Sequence, residues 1–515
     1  MKKLSLCMAA LTLAAGVYAQ KNTGDPQKYA KYISAEDARK HLSILASDAF
    51  EGRETGKPGA DKAANYIAGE FKKLGLQAPV NGSYFFDVPL TENSTKVNFS
   101  VNGQDFSNGK DFSYRGGASD QPVEAADVVF IGYGTDAEIG TTDLTGKVLL
   151  WVNEDKPEAR KTPNTSYRLS TTRTQIVKNL QSKNPALILA VNAEITGILK
   201  KFGSSLTAAR LSIKADAAKP ANTQAVVLNT TTAIADQVLK SIGKTYDQIK
   251  TGPSLALKAD IKLNIHNEAK DVKAVDVLGF MPGTDLKDEV LIFSAHYDHI
   301  GLVSDPNAKD KVNNGADDDG SGTTGILEIA RAFSQAKKAG HGPRRSVLFL
   351  GNVGEEKGLL GSEYYSDHPV FPLANTITDL NIDMIGRVGY EYIGKPDSAN
   401  YVYTIGSAML SKELHQINED ANNKYVHIEQ DYKYDDPNDP NRFYYRSDHY
   451  NFAKHGVPII FYFNGVHDDY HQPGDEVSKI NFPLLAKRAQ LAYYTGWELA
   501  NRDKRPVVDA APSSK

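Results

Sequence analysis

Apolar and polar positions change their period several times along this chain, and each change predicts an element. Ala38, Leu42 and Leu45 recur at helical spacing behind Ser34, with Asp37 three residues on as a capping-box variant. Ala63, Ile67, Phe71 and Leu74 form the apolar face of a second helix, which Gly75 ends. Short alternating segments between Tyr84 and Tyr114 predict strands and turns. Apolar runs at Val128–Ile131, Lys147–Val152 and Ala186–Val191 predict strands, with a helix starting near Thr174. From Ala274 strands and helices alternate. Strands are expected at Val275–Phe280, Val290–Ser294, Ser346–Leu350, Leu380–Ile385 and Val457–Phe463. Helices are expected from Ser321, near Leu360, and over Leu484–Asn501 with Leu485, Ala489 and Tyr493 on one side. Such alternation predicts an α/β fold, a mainly parallel mixed sheet with helices on both faces.

The section before Ala274 has few histidines and no cluster of chemistry-bearing residues, and reads as a smaller β-rich inserted domain. The expected division is a leader over 1–19, a helical lead-in over 20–120, the insert over 121–266, a catalytic domain over 267–505 and a frayed tail over 506–515. A length of 515 residues agrees with more than one core. Composition is ordinary for a globular chain, 41% hydrophobic and 24% charged, and a net charge of −4 points to no nucleic-acid or membrane partner. Lys2 and Lys3 precede an apolar run from Leu4 to Val17, and Val17-Tyr18-Ala19 fits a signal-peptidase site. The protein is therefore expected to be exported, periplasmic or extracellular. The single cysteine, Cys7, falls in the removed segment, so no disulfide or thiol chemistry is expected. No later stretch approaches the ~20 apolar residues of a membrane span.

Candidate chemistry concentrates in the alternating region. His296, Glu355, Asp383 and His471 each fall at or just beyond a predicted strand end, where ligands bind in open α/β sheets. Asp317, Asp318 and Asp319 occupy a glycine-bounded turn before the helix from Ser321. A hydrolytic two-metal site needs nitrogen and oxygen ligands around ions roughly 3.5–4 Å apart, a bridging carboxylate and a nearby base. His296 and Asp383 suit one metal, Glu356 and His471 the other, and Asp318 the bridge. Asp298 is placed to accept the second ring N–H of His296. Glu355 precedes a ligand but points elsewhere, as a general base would. Zinc suits this cysteine-free set, with manganese or cobalt as substitutes.

Taken singly, each residue has a plainer reading. Lone histidines after strands are mostly structural, and paired glutamates mostly solvated. His299, His449 and His467 are expected to be supporting or surface residues. Asp317 and Asp319 are expected to be turn acids favoured by the dipole of the helix that follows. The acidic loop Asp435–Pro440 has calcium-binding composition, yet a solvated loop is the stronger reading. Joint order at strand ends outweighs these priors.

Five ordered phrases resemble the co-catalytic di-zinc aminopeptidases of metallopeptidase family 28. They are His296-Tyr297-Asp298, Gly315 to Gly322, Gly354 to Gly358, Asn381 to Met384, and Asp469-Tyr470-His471. The likeness covers Val275–Asn501, and Leu42–Leu76 (with Glu51-Gly52-Arg53) as a helical lead-in. Val128 to Gly134 and Gly146 to Leu150 resemble the protease-associated domain inserted in some exopeptidases. The resemblance implies a zinc-exopeptidase (phosphorylase/hydrolase-like) fold, Asp318 rather than Asp317 as bridge, and a cis bond after Asp318. It also implies Tyr470 as an oxyanion donor and Arg446 as a substrate contact. The implied activity is removal of N-terminal residues from peptides by attack of a metal-bridging hydroxide, with Glu355 as base. The alternatives are a one-zinc glutaminyl cyclase, a carboxypeptidase, and a binding protein without catalysis. Oligomeric state is not readable from the sequence.

Overall fold

The computed structural model describes residues 24–114, 116, 122–156, 169–215, 224–396 and 399–512. The expected signal peptide lies outside the described residues. The chain forms two compact units, one from the residues up to Val88 together with those from Ala274 on, the other from Pro89 to Lys273. Among the described residues no helix is long and apolar enough to cross a membrane.

In the first unit the strands run in the order Glu429–Asp431, Tyr401–Ile405, Ile459–Phe463, Thr376–Ile382, Leu286–His296, Arg345–Asn352, then the end of Leu255–Met281. The four strands from Ile459–Phe463 to Arg345–Asn352 are mutually parallel, and antiparallel strands flank them. Strands 345–352, 376–382 and 459–463 are buried along their whole length. That explains the unbroken apolar runs Val347–Leu350 and Ile459–Phe463, since both faces of such a strand must be covered. Val290 and Ile292 join a core with Tyr365, Phe452 and Phe461. Phe293, one position out of phase, stacks on Phe349 and meets Phe333. Phe333 lies on the helix Gly320–Lys338, which packs with Ala35–Leu45, Pro58–Leu74 and Phe482–Asn501. Gly322 sits where a Cβ would come within 2.0 Å of the Ile382 carbonyl, so only glycine lets this helix approach the sheet.

The lead-in helix begins as its sequence predicts, with Ser34 accepting the Asp37 N–H. Its junction with helix 320–338 buries Glu328, which accepts from the Ser34 N–H and Arg331. Burial raises the Glu328 carboxyl to about 7. A raised carboxyl binds its proton better folded than unfolded, so stability falls as pH rises from 4.5 to about 7. Glu328→Gln removes that dependence. Relative to wild type, the variant is expected to gain on the order of 1–3 kcal/mol between pH 5 and pH 8. Denaturant midpoints at both pH values check this, and parallel pH curves would refute it.

The second unit is β-rich as expected, and carries more helix than the sequence predicts. Strands Val123–Phe130, Val148–Val152, Leu187–Val191 and Val226–Thr230 are parallel neighbours. Helices Thr171–Ser182 and Ile195–Thr207 lie between them in sequence, and Thr232–Leu239 follows the last. Gly197, Gly203 and the Ser204-Ser205 pair lower the propensity of helix Ile195–Thr207 and mask its period. The unit starts at Pro89 and ends at Lys273, wider than the expected 121–266, because strand Phe85–Val101 carries the chain into it. The tail is not frayed at its start. The Val507 N–H reaches Glu413 and the Asp509 N–H reaches the Leu410 carbonyl.

Candidate metal centre

Strand ends and short turns deliver the acids and imidazoles to one place. His296 is the last residue of its strand, and its main chain is tied to the helix that follows. Its N–H donates to Asp319 Oδ2 at 3.2 Å, and its carbonyl accepts from Thr323. Asp319 also caps the helix through the Gly322 N–H and accepts from the Met384 N–H, so one carboxylate joins three segments. Asp317 does similar work on the Gly386 N–H, Ser321 and His467. Both are thus more than helix N-terminal acids. Asp383 follows strand 376–382 by one residue, and Ser447 donates to its Oδ2 at 2.7 Å. The peptide bond between Asp318 and Asp319 is cis.

Two donor groups share Asp318. In one, His296, Asp318 and Asp383 place their ligand atoms within 4.8 Å of one another; in the other, His299, Asp318 and Glu356 do. His296 Nε2 lies 3.3 Å from Asp318 Oδ1 and 3.7 Å from Asp383 Oδ2. His471 Nε2 lies 3.1 Å from Asp318 Oδ2 and 3.0 Å from Glu356 Oε2. His299 Nδ1 lies 2.8 Å from Glu356 Oε1. Glu355 Oε2 stands 3.8 Å from His296 Nε2. Among these buried atoms Asp318 Oδ2, Glu356 Oε1, His471 Nε2 and both ring nitrogens of His299 make no aligned hydrogen bond. Buried polar atoms normally find partners. Lone pairs turned together between imidazoles and carboxylates fit two divalent cations that share Asp318.

Charge compensation agrees with that fit. Burial works against ionising Glu356, yet contacts to His299 and His471 carry its carboxyl down to about 2. Burial also opposes a charged His471, and Asp318 with Glu356 raises it to about 10. Burial, helped by the nearby charges of Glu356, Asp383 and Asp448, pushes the Glu355 carboxyl well above its ordinary value, and His296 only partly opposes it.

Several supporting residues differ from expectation. His296 Nδ1 meets the Asp298 backbone carbonyl at 3.1 Å, and the Asp298 carboxylate stands at 3.7 Å. That carboxylate is already engaged by Thr55 Oγ1 and by the Glu355 N–H. His299, His449 and His467 are all buried, none on the surface. His449 is a core histidine, stacked on Phe461 and bonded to the Tyr444 carbonyl, and burial lowers it to about 3. His299 is the residue that sequence reasoning undervalued. Its signal was its place one residue past Asp298. In the acidic loop, Asp435 accepts from the Gly406 N–H and Ser407, and Asp439 from the Phe443 N–H, as turn-forming acids do.

A cavity opens beside the donors. Met384, Phe443, Phe461, Phe463 and Val466 supply its apolar wall, and Glu355, Arg446 and Tyr470 its polar one. Tyr470 stacks on His471 at 3.9 Å, and its hydroxyl lies 3.4 Å from Arg446 Nη2. Burial raises the Tyr470 phenol, so it stays a neutral donor.

Residues 276–495 match the sequence profile of "Peptidase family M28". A "Vacuolar membrane protease" of Candida dubliniensis is 26% identical over 246 residues, 47% of this chain and 23% of that protein. "Leucine aminopeptidase 2" of Trichophyton rubrum is 25% identical over 249 residues, 44% of each chain. This chain thus spans less than half the length of either relative. Among solved structures, an aminopeptidase from Aneurinibacillus sp. strain AM-1 superposes with a TM-score of 0.53 at 17% identity. That alignment covers 95% of this chain and all of that one, which shows the shared fold.

Proposed function

With residues 276–495 belonging to peptidase family M28, we propose that the protein is an exported two-zinc aminopeptidase. The observation that carries this reading is Asp318, shared by two donor groups on the wall of a cavity that also holds Glu355. His296, Asp318 and Asp383 would hold one ion, and Asp318, Glu356 and His471 the other. His299 Nδ1, 2.8 Å from Glu356 Oε1 and 3.9 Å from Asp318 Oδ2, is a further donor available to that second ion. Zinc bound there would supply Lewis acidity, polarising the scissile carbonyl and acidifying water, a role manganese or cobalt also fills. The lysines and apolar run at the N-terminus support export.

The chain's own groups provide the rest. The Glu355 carboxylate takes the proton from the attacking water and returns it to the leaving amine. Asp298 steadies the Glu355 turn by accepting its N–H. The Tyr470 hydroxyl donates to the oxyanion, and Arg446, an exposed cation over the Phe443 ring at 4.8 Å, lies at the mouth to contact the substrate backbone. The apolar wall favours an uncharged, bulky N-terminal side chain.

Aminoacyl-chromophore substrates, N-blocked and unblocked, assayed with and without chelator, test the reading. Chelator-sensitive cleavage of the unblocked leucyl compound is expected. Cleavage of the blocked compound alone would sink it. Arg446 favours a carboxypeptidase as the second reading, which predicts hydrolysis of N-blocked peptides with a free terminal carboxylate.

A further inference from the structure

The turn that presents Asp318 is gripped from two sides by buried groups of opposite charge. On one side is Arg53, 1% exposed. Among the described residues its guanidinium pairs with no carboxylate. It donates to the carbonyls of Tyr297 at 2.7 Å, Leu45 at 2.9 Å, Asn314 at 2.6 Å and Gly315 at 2.8 Å, and more distantly to Asp318 at 3.5 Å. Those carbonyls flank both His296 and the bridging acid. On the other side is Asp475, fully buried. Its Oδ2 accepts the N–H groups of Asp317 at 2.9 Å and Asp318 at 3.1 Å, and its carbonyl accepts that of Ala316. Asp475 lies four residues after His471, so the loop that holds the turn also bears a ligand.

The local backbone is bent to put Arg53 there. Glu51, Gly52 and Arg53 all have positive φ, 52°, 65° and 49°. A side chain at Gly52 would come within 2.5 Å of the Asn313 carbonyl and 2.6 Å of that of Gly301. The Gly52 and Arg53 carbonyls accept from the N–H groups of Gly301 and His299. Conformations of this kind persist where the surroundings over-determine them.

We propose that Arg53 and Asp475 are positioning residues of the metal centre. Arg53 holds the turn 314–318 through its carbonyls and Asp475 through its amides. Asp318 is thereby set between the two donor groups before any ion arrives. The guanidinium adds a fixed positive charge beneath a cluster of carboxylates, which limits their mutual repulsion in the metal-free protein. Arg53→Lys keeps the charge but loses the planar fork that reaches several carbonyls at once. Asp475→Asn keeps the shape but replaces one acceptor oxygen by a donor. This inference rests on the two-zinc reading.

Zinc titrated calorimetrically into metal-free full-length protein, well below its thermal midpoint, tests it. Arg345→Lys serves as the control, since Arg345 is equally buried and binds the Leu499 and Arg502 carbonyls away from the site. Wild type is expected to take two ions. Arg53→Lys and Asp475→Asn are expected to bind them ~10- to ~100-fold more weakly, the range typical for losing a group that orients a ligand. Arg345→Lys should lower the midpoint and leave zinc affinity unchanged. Wild-type affinity in both variants, or an equal loss in the control, would overturn the proposal. If Arg53→Lys does not fold, Asp475→Asn decides alone. A wild type that takes no zinc overturns the metal reading itself, an outcome distinct from wild-type affinity in the variants.

Discussion

Glu355→Ala is expected to keep its zinc and lose its turnover. The carboxylate lines the cavity, 3.8 Å from His296 Nε2, but belongs to neither donor group that shares Asp318. Removing it therefore leaves His296, Asp318, Asp383, Glu356 and His471 in place. What disappears is the cavity-wall carboxyl that the proposal leaves outside both donor groups, free to move a proton. Burial raises that carboxyl, the direction that strengthens a base. Loss of a positioned acid–base group costs ~10²- to ~10⁴-fold in kcat. KM should change little, because the proposed substrate contacts through Arg446 and the apolar wall would persist. Metal content and steady-state kinetics on the unblocked leucyl substrate check both halves. Near-normal kcat, or a variant that arrives without metal, would remove the assignment.

The second large effect is expected at the bridge. Asp318→Ala should abolish binding of both ions, whereas loss of Asp383 or Glu356 should weaken one ion more than the other. The reason is geometric: Asp318 Oδ1 faces His296 and Oδ2 faces His471, so a single side chain would serve both proposed sites. Ligand binding stabilises a fold by ~3 kcal/mol per site at a hundredfold excess over Kd. Chelator should accordingly lower the melting midpoint of wild type and leave that of Asp318→Ala unmoved. The variant should also lack activity at any zinc concentration that the protein tolerates. Retention of two ions by Asp318→Ala would show that the groups do not share it.

Much of this centre is legible along the chain because near neighbours encode it. The continuous apolar run at Val290–Phe293 marks a strand covered on both faces, and His296 falls just past its end. Ser34 with Asp37, and Gly75 with φ 80° at the helix end, act as their residue types predict. Helix Ile195–Thr207 was not legible, since its glycines and serines blur the period that its buried Ile195, Leu199 and Leu206 follow.

What the sequence alone determined, then, is the inventory and its order: strands, the helix after the acidic turn, and the candidate acids and imidazoles at strand ends. Which atoms meet was decided by the tertiary structure. Parallel register sets His296 opposite Asn352 and Ser294 opposite Asn381, and this brings the Glu355 turn and Asp383 to the same edge. Arg53, Thr55 and Asp475 have no local signature, because the partners of their side chains, Leu45 aside, lie 88 or more residues away. Periodicity reports which face of an element is buried. It carries no information about which distant carbonyl or amide a buried charge will find, and that choice sets the position of Asp318.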